Sequence, residues 1–167
     1  MRIVVAMVFV LGLAGMAGAE PSPLVLQVQT LDGQAKWLTD FKGHVILLNF
    51  WSTTCPPCRL ETPWFVEFQS KFQDQKFTVL AVSMDDDPAR IKEFMKAFNV
   101  NYPMMVGREV EERIQTATGG IWGLPTTYLI GRDGRVIQKH LGLQPKVQLE
   151  KEIANAVKAP IAAALPR

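Results

Sequence analysis

Two mainly apolar runs, "HVILLNFW" at 44–51 and "KFTVLAVSM" at 76–84, most constrain what this chain can fold into. A strand that is apolar on both faces has to be covered on both sides, which is typical of the central strands of an α/β sheet. Helical spacing follows each run, first at Leu60, Trp64, Phe65, Phe68 and Phe72 and then at Ile91, Phe94, Met95 and Phe98. Strands that alternate with amphipathic helices predict an α/β fold built on one central sheet.

Further strands and helices are expected around that centre. Turn residues at Asp32 and Gly33, and again at Asp133 and Gly134, interrupt alternating segments, which is typical of hairpins. The segment "YPMMVG" predicts a short strand, and "REVEERIQTATGG" predicts a short helix. A final helix is expected from about 145 to 158, with Leu149, Ile153 and Val157 on one face.

The first segment has the pattern of a targeting sequence. A positive start, an apolar stretch and the small residues Ala17 and Ala19 predict a signal peptide at 1–19 that is cleaved before Glu20. An uncleaved membrane anchor is the alternative that stays open. Export would place the mature chain, predicted to be a single domain at 20–167, in the periplasm, where disulfides persist.

The only cysteines, Cys55 and Cys58, lie where the first apolar run gives way to a helix. A structural disulfide is disfavoured because so short a loop removes little entropy from the unfolded chain. A zinc site needs more ligands than this pair, and His44 and His140, expected to be ordinary surface or turn histidines, lack metal-ligand spacing. Two interpretations of the cysteine pair remain: a peroxide-reducing cysteine, or a dithiol that is oxidised to a disulfide and reduced again.

The cycling dithiol explains most of the pattern. Cys55 would meet the positive end of the helix, which favours its thiolate, and Cys58 would be shielded one turn further on. Cys55 is then the nucleophile and Cys58 the resolving thiol. Pro56 is expected outside the helix and Pro57 at its first position. Neither proline has an N–H that could donate to the Cys55 thiolate. The two prolines are therefore predicted to leave this thiolate less stabilised, which favours reduction of other proteins by the cysteine pair.

The motifs "LLNFWSTTCPPCRLETP" and "GGIWGLPTTYLIGRDGRV" resemble the TlpA/ResA-like branch of the thioredoxin superfamily, over nearly the whole mature chain. The resemblance implies a thioredoxin-like fold, with a central mixed β-sheet flanked by helices, an N-terminal hairpin and a central strand-helix insertion at about 84–106. It also implies a Cys55–Cys58 disulfide in the oxidised protein. No cofactor and no metal are implied.

Five more residues take roles from the resemblance. Pro125 matches the cis-proline beside the cysteines, and the backbone of Leu124 would pair with an extended substrate. Trp51 matches the aromatic residue before the motif and is assigned to substrate binding. Glu61 matches a buried glutamate that tunes the thiols and relays a proton, with a solvated helix charge as the alternative that stays open. Pro63 matches a proline that kinks the helix.

Two positions depart from related patterns. Thr54 stands where many relatives have Trp, so the surface around Cys55 is expected to be more polar. Asn49 stands where thioredoxins bury an aspartate, which leaves proton transfer to Glu61 or water.

The function implied is an exported thiol-disulfide reductase of periplasmic protein disulfides, such as those of apocytochrome c in cytochrome c maturation or of copper-site proteins. The expected partners are protein thiol/disulfide substrates and a membrane electron donor of the DsbD/CcdA type, and the chain is expected to be a monomer. A formal charge of +2 gives no case for nucleic acid. An oxidase direction stays open.

Two alternatives belong to other classes. A peroxiredoxin-like peroxidase would want Thr and Pro where this chain has Ser52 and Leu48. A thiol-based copper carrier could recruit Met104 and Met105, although paired methionines in an apolar run are more often core residues.

Overall fold

The computed structural model describes residues 26–84, 87–107 and 120–160. Seven strands within these ranges form one sheet. They are β1 Gln27–Thr30, β2 Ala35–Trp37, β3 Val45–Trp51, β4 Phe77–Ser83, β5 Met104–Val106, β6 Thr126–Ile130 and β7 Val136–Leu141. The α-helices are α1 Pro56–Phe72, α2 Pro88–Phe98 and α3 Lys146–Lys158, and two 3-10 turns span Leu38–Phe41 and Gln73–Gln75.

The sheet is mixed, in the order β2-β1-β5-β4-β3-β6-β7. The strands β3, β4 and β5 run parallel, whereas β6 pairs antiparallel with β3 on the other side. Every residue of β3 and of β4 is buried, as the two apolar runs predict. The predicted central mixed sheet flanked by helices is therefore confirmed.

Apolar side chains cover both faces of the sheet. One cluster joins α1, α2 and α3 to the sheet through Phe65, Phe68, Ile91 and Ile153, among others. A second cluster lies on the opposite face of the sheet and contains Leu26, Leu38, Phe50 and Tyr128. Burial of these side chains, at roughly 25 cal/mol per Å² of apolar surface, is what holds the strands around the site in place.

The hairpins and the insertion also agree with expectation. Gly33 and Gly134 adopt positive φ angles of 83° and 84° at the turns of the β1–β2 and β6–β7 hairpins. The insertion consists of α2 and β5, and β5 connects the first hairpin to β4. Met104 and Met105 are buried, as core methionines are.

Two expectations about single residues are wrong. Leu60 was assigned to the buried face of α1, but it is 60% exposed because that face is set by Glu61, Phe65 and Phe68, about 100° further round the helix. His140 is not a surface or turn histidine: it is 6% exposed on β7, and its Nε2 lies 2.7 Å from Glu152 Oε2 on α3. The final helix spans Lys146–Lys158 with Pro145 as its N-cap residue, which agrees with the expected range.

Other predictions are untested. The predicted signal peptide or anchor at 1–19 and the helix in "REVEERIQTATGG" lie outside the described residues. The single-domain assignment of 20–167 stays a prediction, as does a kink at Pro63, through which α1 continues. None of the helices in the described ranges combines the length and the apolar character needed to span a membrane.

Candidate active site

Cys55 and Cys58 lie between the end of β3 and the first turn of α1. Their sulfurs form a disulfide, with 5.3 Å between the Cα atoms. Cys55 is the N-cap residue of α1 and is half-buried, whereas Cys58 is 1% exposed. Cys55 is therefore the more exposed residue of the pair, and Cys58 is shielded by the core.

The two prolines occupy the first turn of α1. The helix begins at Pro56 rather than at Pro57, one residue earlier than expected, because the φ of proline suits a first helical position and its missing N–H has no helical partner there. In either position, neither proline supplies an N–H to the sulfur of Cys55. The N–H of Cys58 donates to Cys55 Sγ, with 3.4 Å between nitrogen and sulfur.

The loop before β6 contributes the proline of the site. The peptide bond between Leu124 and Pro125 is cis, which confirms that prediction. Since β6 pairs antiparallel with β3 up to Phe50 and Thr126, Pro125 lies beside the end of β3, where the cysteine loop starts. The carbonyl of Pro125 accepts from the N–H of Gly142, while Leu124 is half-buried. Within the described residues, the backbone of Leu124 has no hydrogen-bond partner.

Glu61 lies on α1 one turn after Cys58 and is 2% exposed, so it is not a solvated helix charge. Its Oε1 accepts a hydrogen bond of 2.8 Å from Asn49 Nδ2. Burial raises the pKa of Glu61 to about 8, against the lowering effect of the bond from Asn49. A carboxyl group with such a pKa is mostly protonated at neutral pH and can give or take a proton there.

Asn49 bridges two elements of the site. Besides Glu61, its Nδ2 donates to Thr127 Oγ1 at 2.9 Å. Asn49 and Thr127 are paired across β3 and β6, and Thr127 lies two residues after the cis-proline. Both amide hydrogens of Asn49 are therefore used, and they join α1, β3 and β6 beneath the cysteines.

Thr62 and Tyr102 extend the polar contacts on the other side of Glu61. Thr62 Oγ1 donates to the carbonyl of Cys58 at 2.9 Å, and Thr62 also hydrogen-bonds Tyr102, from the segment between α2 and β5. Burial raises the pKa of the Tyr102 hydroxyl, which stays protonated. Sequence reasoning missed Thr62, Thr127 and Tyr102. Only the spacing of Thr62, four residues after Cys58, could have indicated one of them.

Trp51 is the last residue of β3 and is buried. It is 1% exposed, and its ring packs against Phe94 of α2, with 4.6 Å between the ring centroids. The insertion thus covers the indole, and the assignment of Trp51 to substrate binding stays a prediction. Trp51 supports the cysteine loop from below.

The surface around the cysteine pair has both polar and apolar side chains. Thr54 is exposed, and its hydroxyl lies 2.9 Å from Ser52 Oγ, in keeping with the polar surface expected there. Leu60, on the first turns of α1, is 60% exposed. No group of three or more potential metal ligands occurs among the residues that the structure describes.

Comparisons with known proteins identify the family of this chain. A model of the Redoxin family matches residues 17–158. The thiol-disulfide oxidoreductase ResA of Bacillus thuringiensis subsp. konkukian (strain 97-27) is 36% identical over 124 residues, which make up 74% of this chain and 70% of that protein. The thioredoxin-like protein YneN of Bacillus subtilis (strain 168) is 30% identical over 129 residues, 75% of this chain and 73% of that one.

A solved structure shows the same fold. The thiol:disulfide interchange protein, a thioredoxin family protein, of Chlorobium tepidum TLS superposes with a TM-score of 0.73 at 29% identity. The match covers 84% of this chain and 99% of that one. The mixed sheet and its helices are thus a thioredoxin-like fold.

Proposed function

Because this chain belongs to the Redoxin family and is a ResA-like thiol-disulfide oxidoreductase of the thioredoxin superfamily, we propose that it is an exported reductase of disulfides in other proteins. The observation that carries the proposal is the difference between the two sulfurs. Cys55 is accessible at the start of α1, and Cys58 is buried next to an acid of raised pKa. This asymmetry suits one thiol that attacks and one that resolves.

In the proposed reaction, the Cys55 thiolate attacks one sulfur of a client disulfide, and the other client sulfur leaves as a thiolate. The Cys58 thiolate then attacks Cys55 Sγ, which releases the client as a dithiol and leaves the Cys55–Cys58 disulfide. Two electrons pass from the cysteine pair to the client. The cis-proline loop supports this role, since the free backbone of Leu124 suits pairing with an extended client segment.

Glu61 is the proposed proton carrier for Cys58. The two residues are neighbours on one face of α1, and both are buried. Ionised Glu61 accepts the proton of the Cys58 thiol when that thiol attacks. Protonated Glu61, which dominates at neutral pH, returns a proton to Cys58 when a donor reduces the disulfide.

The cellular setting is also a proposal. The targeting pattern at 1–19 supports export to the periplasm, by cleavage or with an anchor retained. Clients such as apocytochrome c or copper-site cysteines, and a DsbD/CcdA-type electron donor, follow from the resemblance to exported family members. Reduction, rather than oxidation, is supported by the Pro-Pro pair, which leaves the N–H of Cys58 as the nearest amide donor to Cys55 Sγ.

The reduction potential of the cysteine pair tests the direction. The full-length protein is equilibrated across a ladder of thiol redox buffers, and its free thiols are trapped with a mass tag. A potential below about −220 mV supports a reductase, whereas a value near about −120 mV, as for a strong oxidant, would contradict it. Reduction of a disulfide-bonded client peptide by the reduced protein is the matching activity assay.

A further inference from the structure

Arg59 lies one helical turn after Cys55, on the same side of α1. Residues four apart share a helix face, and side chains lean toward the helix N-terminus, so Arg59 is directed back toward the cysteine loop. Its Nη1 donates to the carbonyl oxygen of Thr53, at 3.3 Å. A positive charge therefore lies beside the loop that carries the accessible sulfur.

The guanidinium group of Arg59 is held on an aromatic platform. It lies 5.5 Å from the ring centroid of Phe94 and 5.1 Å from that of Phe98, both on α2. The two rings stack on each other with 4.3 Å between centroids. Cation–π attraction and the bond to Thr53 fix the orientation of this exposed side chain before any client arrives.

A cleft of about 260 Å³ opens at this place, between the start of α1 and α2. Its lining includes Thr53, Arg59, Arg90, Glu93, Phe94 and Phe98. The lining thus contains two arginines and one glutamate. Within the described ranges, Arg59 forms no ion pair with any carboxylate, Glu93 included. The guanidinium group of Arg59 is therefore held in a fixed orientation next to the reactive cysteine, and it has N–H groups available to bind a ligand.

We propose that this cleft binds an acidic side chain that flanks the reactive cysteine of the client, and that Arg59 determines this specificity. The inference rests on the proposed function, since it needs a client disulfide at Cys55. A client Asp or Glu would accept charge-assisted hydrogen bonds from the guanidinium fork. A client Lys at the same place would face Arg59 and Arg90 and would be rejected by repulsion.

The test compares three peptides that contain an intramolecular disulfide and differ only beside the reactive cysteine, which is flanked by Asp, Ser or Lys. The reduced full-length protein reacts with each peptide, and the rate is divided by that of dithiothreitol with the same peptide, which removes differences in intrinsic reactivity. We expect the acidic peptide to react about tenfold faster than the basic one, with the preference falling as salt is added.

Three variants at Arg59 assign the preference to its charge. Arg59→Met keeps an apolar stem on the rings and is expected to abolish the preference, Arg59→Lys to retain part of it, and Arg59→Glu to reverse it. Lys96→Met is the matched control, because Lys96 is exposed on α2 but does not line the cleft. The alkylation pH profile of Cys55 is measured for each variant.

The outcomes separate the inference from the function on which it rests. Equal normalised rates for the three peptides with the unmodified protein would overturn the inference and leave the reductase intact. Equal slowing of all three by Arg59→Met, with a shifted Cys55 profile, would also overturn it, because Arg59 would then act on the thiolate. Failure to reduce any peptide would remove the proposed function, and the inference with it.

Discussion

Asn49 on β3 and Glu61 on α1 are joined by a hydrogen bond of 2.8 Å, between two side chains that are 3% and 2% exposed. Burial raises the pKa of the Glu61 carboxyl group, and the hydrogen bond from the neutral amide of Asn49 partly offsets this effect. An aspartate in place of Asn49 would put two carboxyl groups in contact and couple their titrations. With asparagine there, the proton chemistry of the site is concentrated in a single group.

Glu61 is expected to make the protein less stable as the pH rises. Its carboxyl has a pKa of about 8 in the folded protein and the ordinary 4.5 when unfolded, so the folded state holds the proton more tightly. The contribution of Glu61 to the free energy of unfolding is complete below pH 4.5 and is lost as the pH rises through about 8. At about 1.4 kcal/mol per pKa unit, the loss is on the order of several kcal/mol. Denaturant unfolding across this pH range measures it.

Glu61→Gln should flatten that pH dependence, because the amide stays neutral throughout. The same substitution at the exposed Glu93 is the control and should leave the slope unchanged. A Glu61→Gln protein with the original slope would mean that another group carries the dependence.

Asn49→Leu is expected to raise the pKa of Glu61 further, because it removes the hydrogen bond that lowers that pKa. It should also lower the free energy of unfolding by about 1–3 kcal/mol, the usual cost of a buried polar group left unpaired. The measurement is the pH at which stability stops falling, which should move upward. Thr127→Val breaks the other bond of Asn49 and should leave this pH nearly unchanged.

Cys58→Ser is expected to trap the client. Cys55 can still attack a client disulfide, but the resolving thiol is missing, so the mixed disulfide should accumulate and appear as a covalent adduct on a non-reducing gel. Cys55→Ser should form little adduct, since Cys58 is 1% exposed. Equal adduct from both variants would contradict the assigned order of attack.

Pro56→Ala is expected to raise the reduction potential. The substitution adds a backbone N–H in the first turn of α1 without adding a charge, and another donor near Cys55 Sγ should stabilise the thiolate beyond the Cys58 contact of 3.4 Å. A rise of about 30 mV or more is expected, equivalent to about 1.4 kcal/mol for this couple. Pro56→His, which adds an imidazole as well, should rise further. An unchanged potential in both would argue against the role given to the prolines.

Local sequence patterns predicted most of the fold. The apolar runs of β3 and β4 could be recognised as buried strands because apolar residues occupy both faces of each run, and every residue of both strands is buried. The turns at Gly33 and Gly134 and the position of Cys55 before α1 are also encoded within a few residues. The cis bond before Pro125 came from a family resemblance rather than from such a pattern.

The sequence by itself determined the elements, the cysteine pair and the family, because periodicity and short motifs are properties of neighbouring residues. Only the tertiary structure decided that Asn49 meets Thr127, 78 residues away, and that α2 brings Phe94 and Phe98 under Arg59. It also decided that Leu60 faces solvent and that His140 meets Glu152 in a buried position. The physical reason is that such contacts depend on strand register and on helix rotation against the sheet, which the packing of the whole core selects.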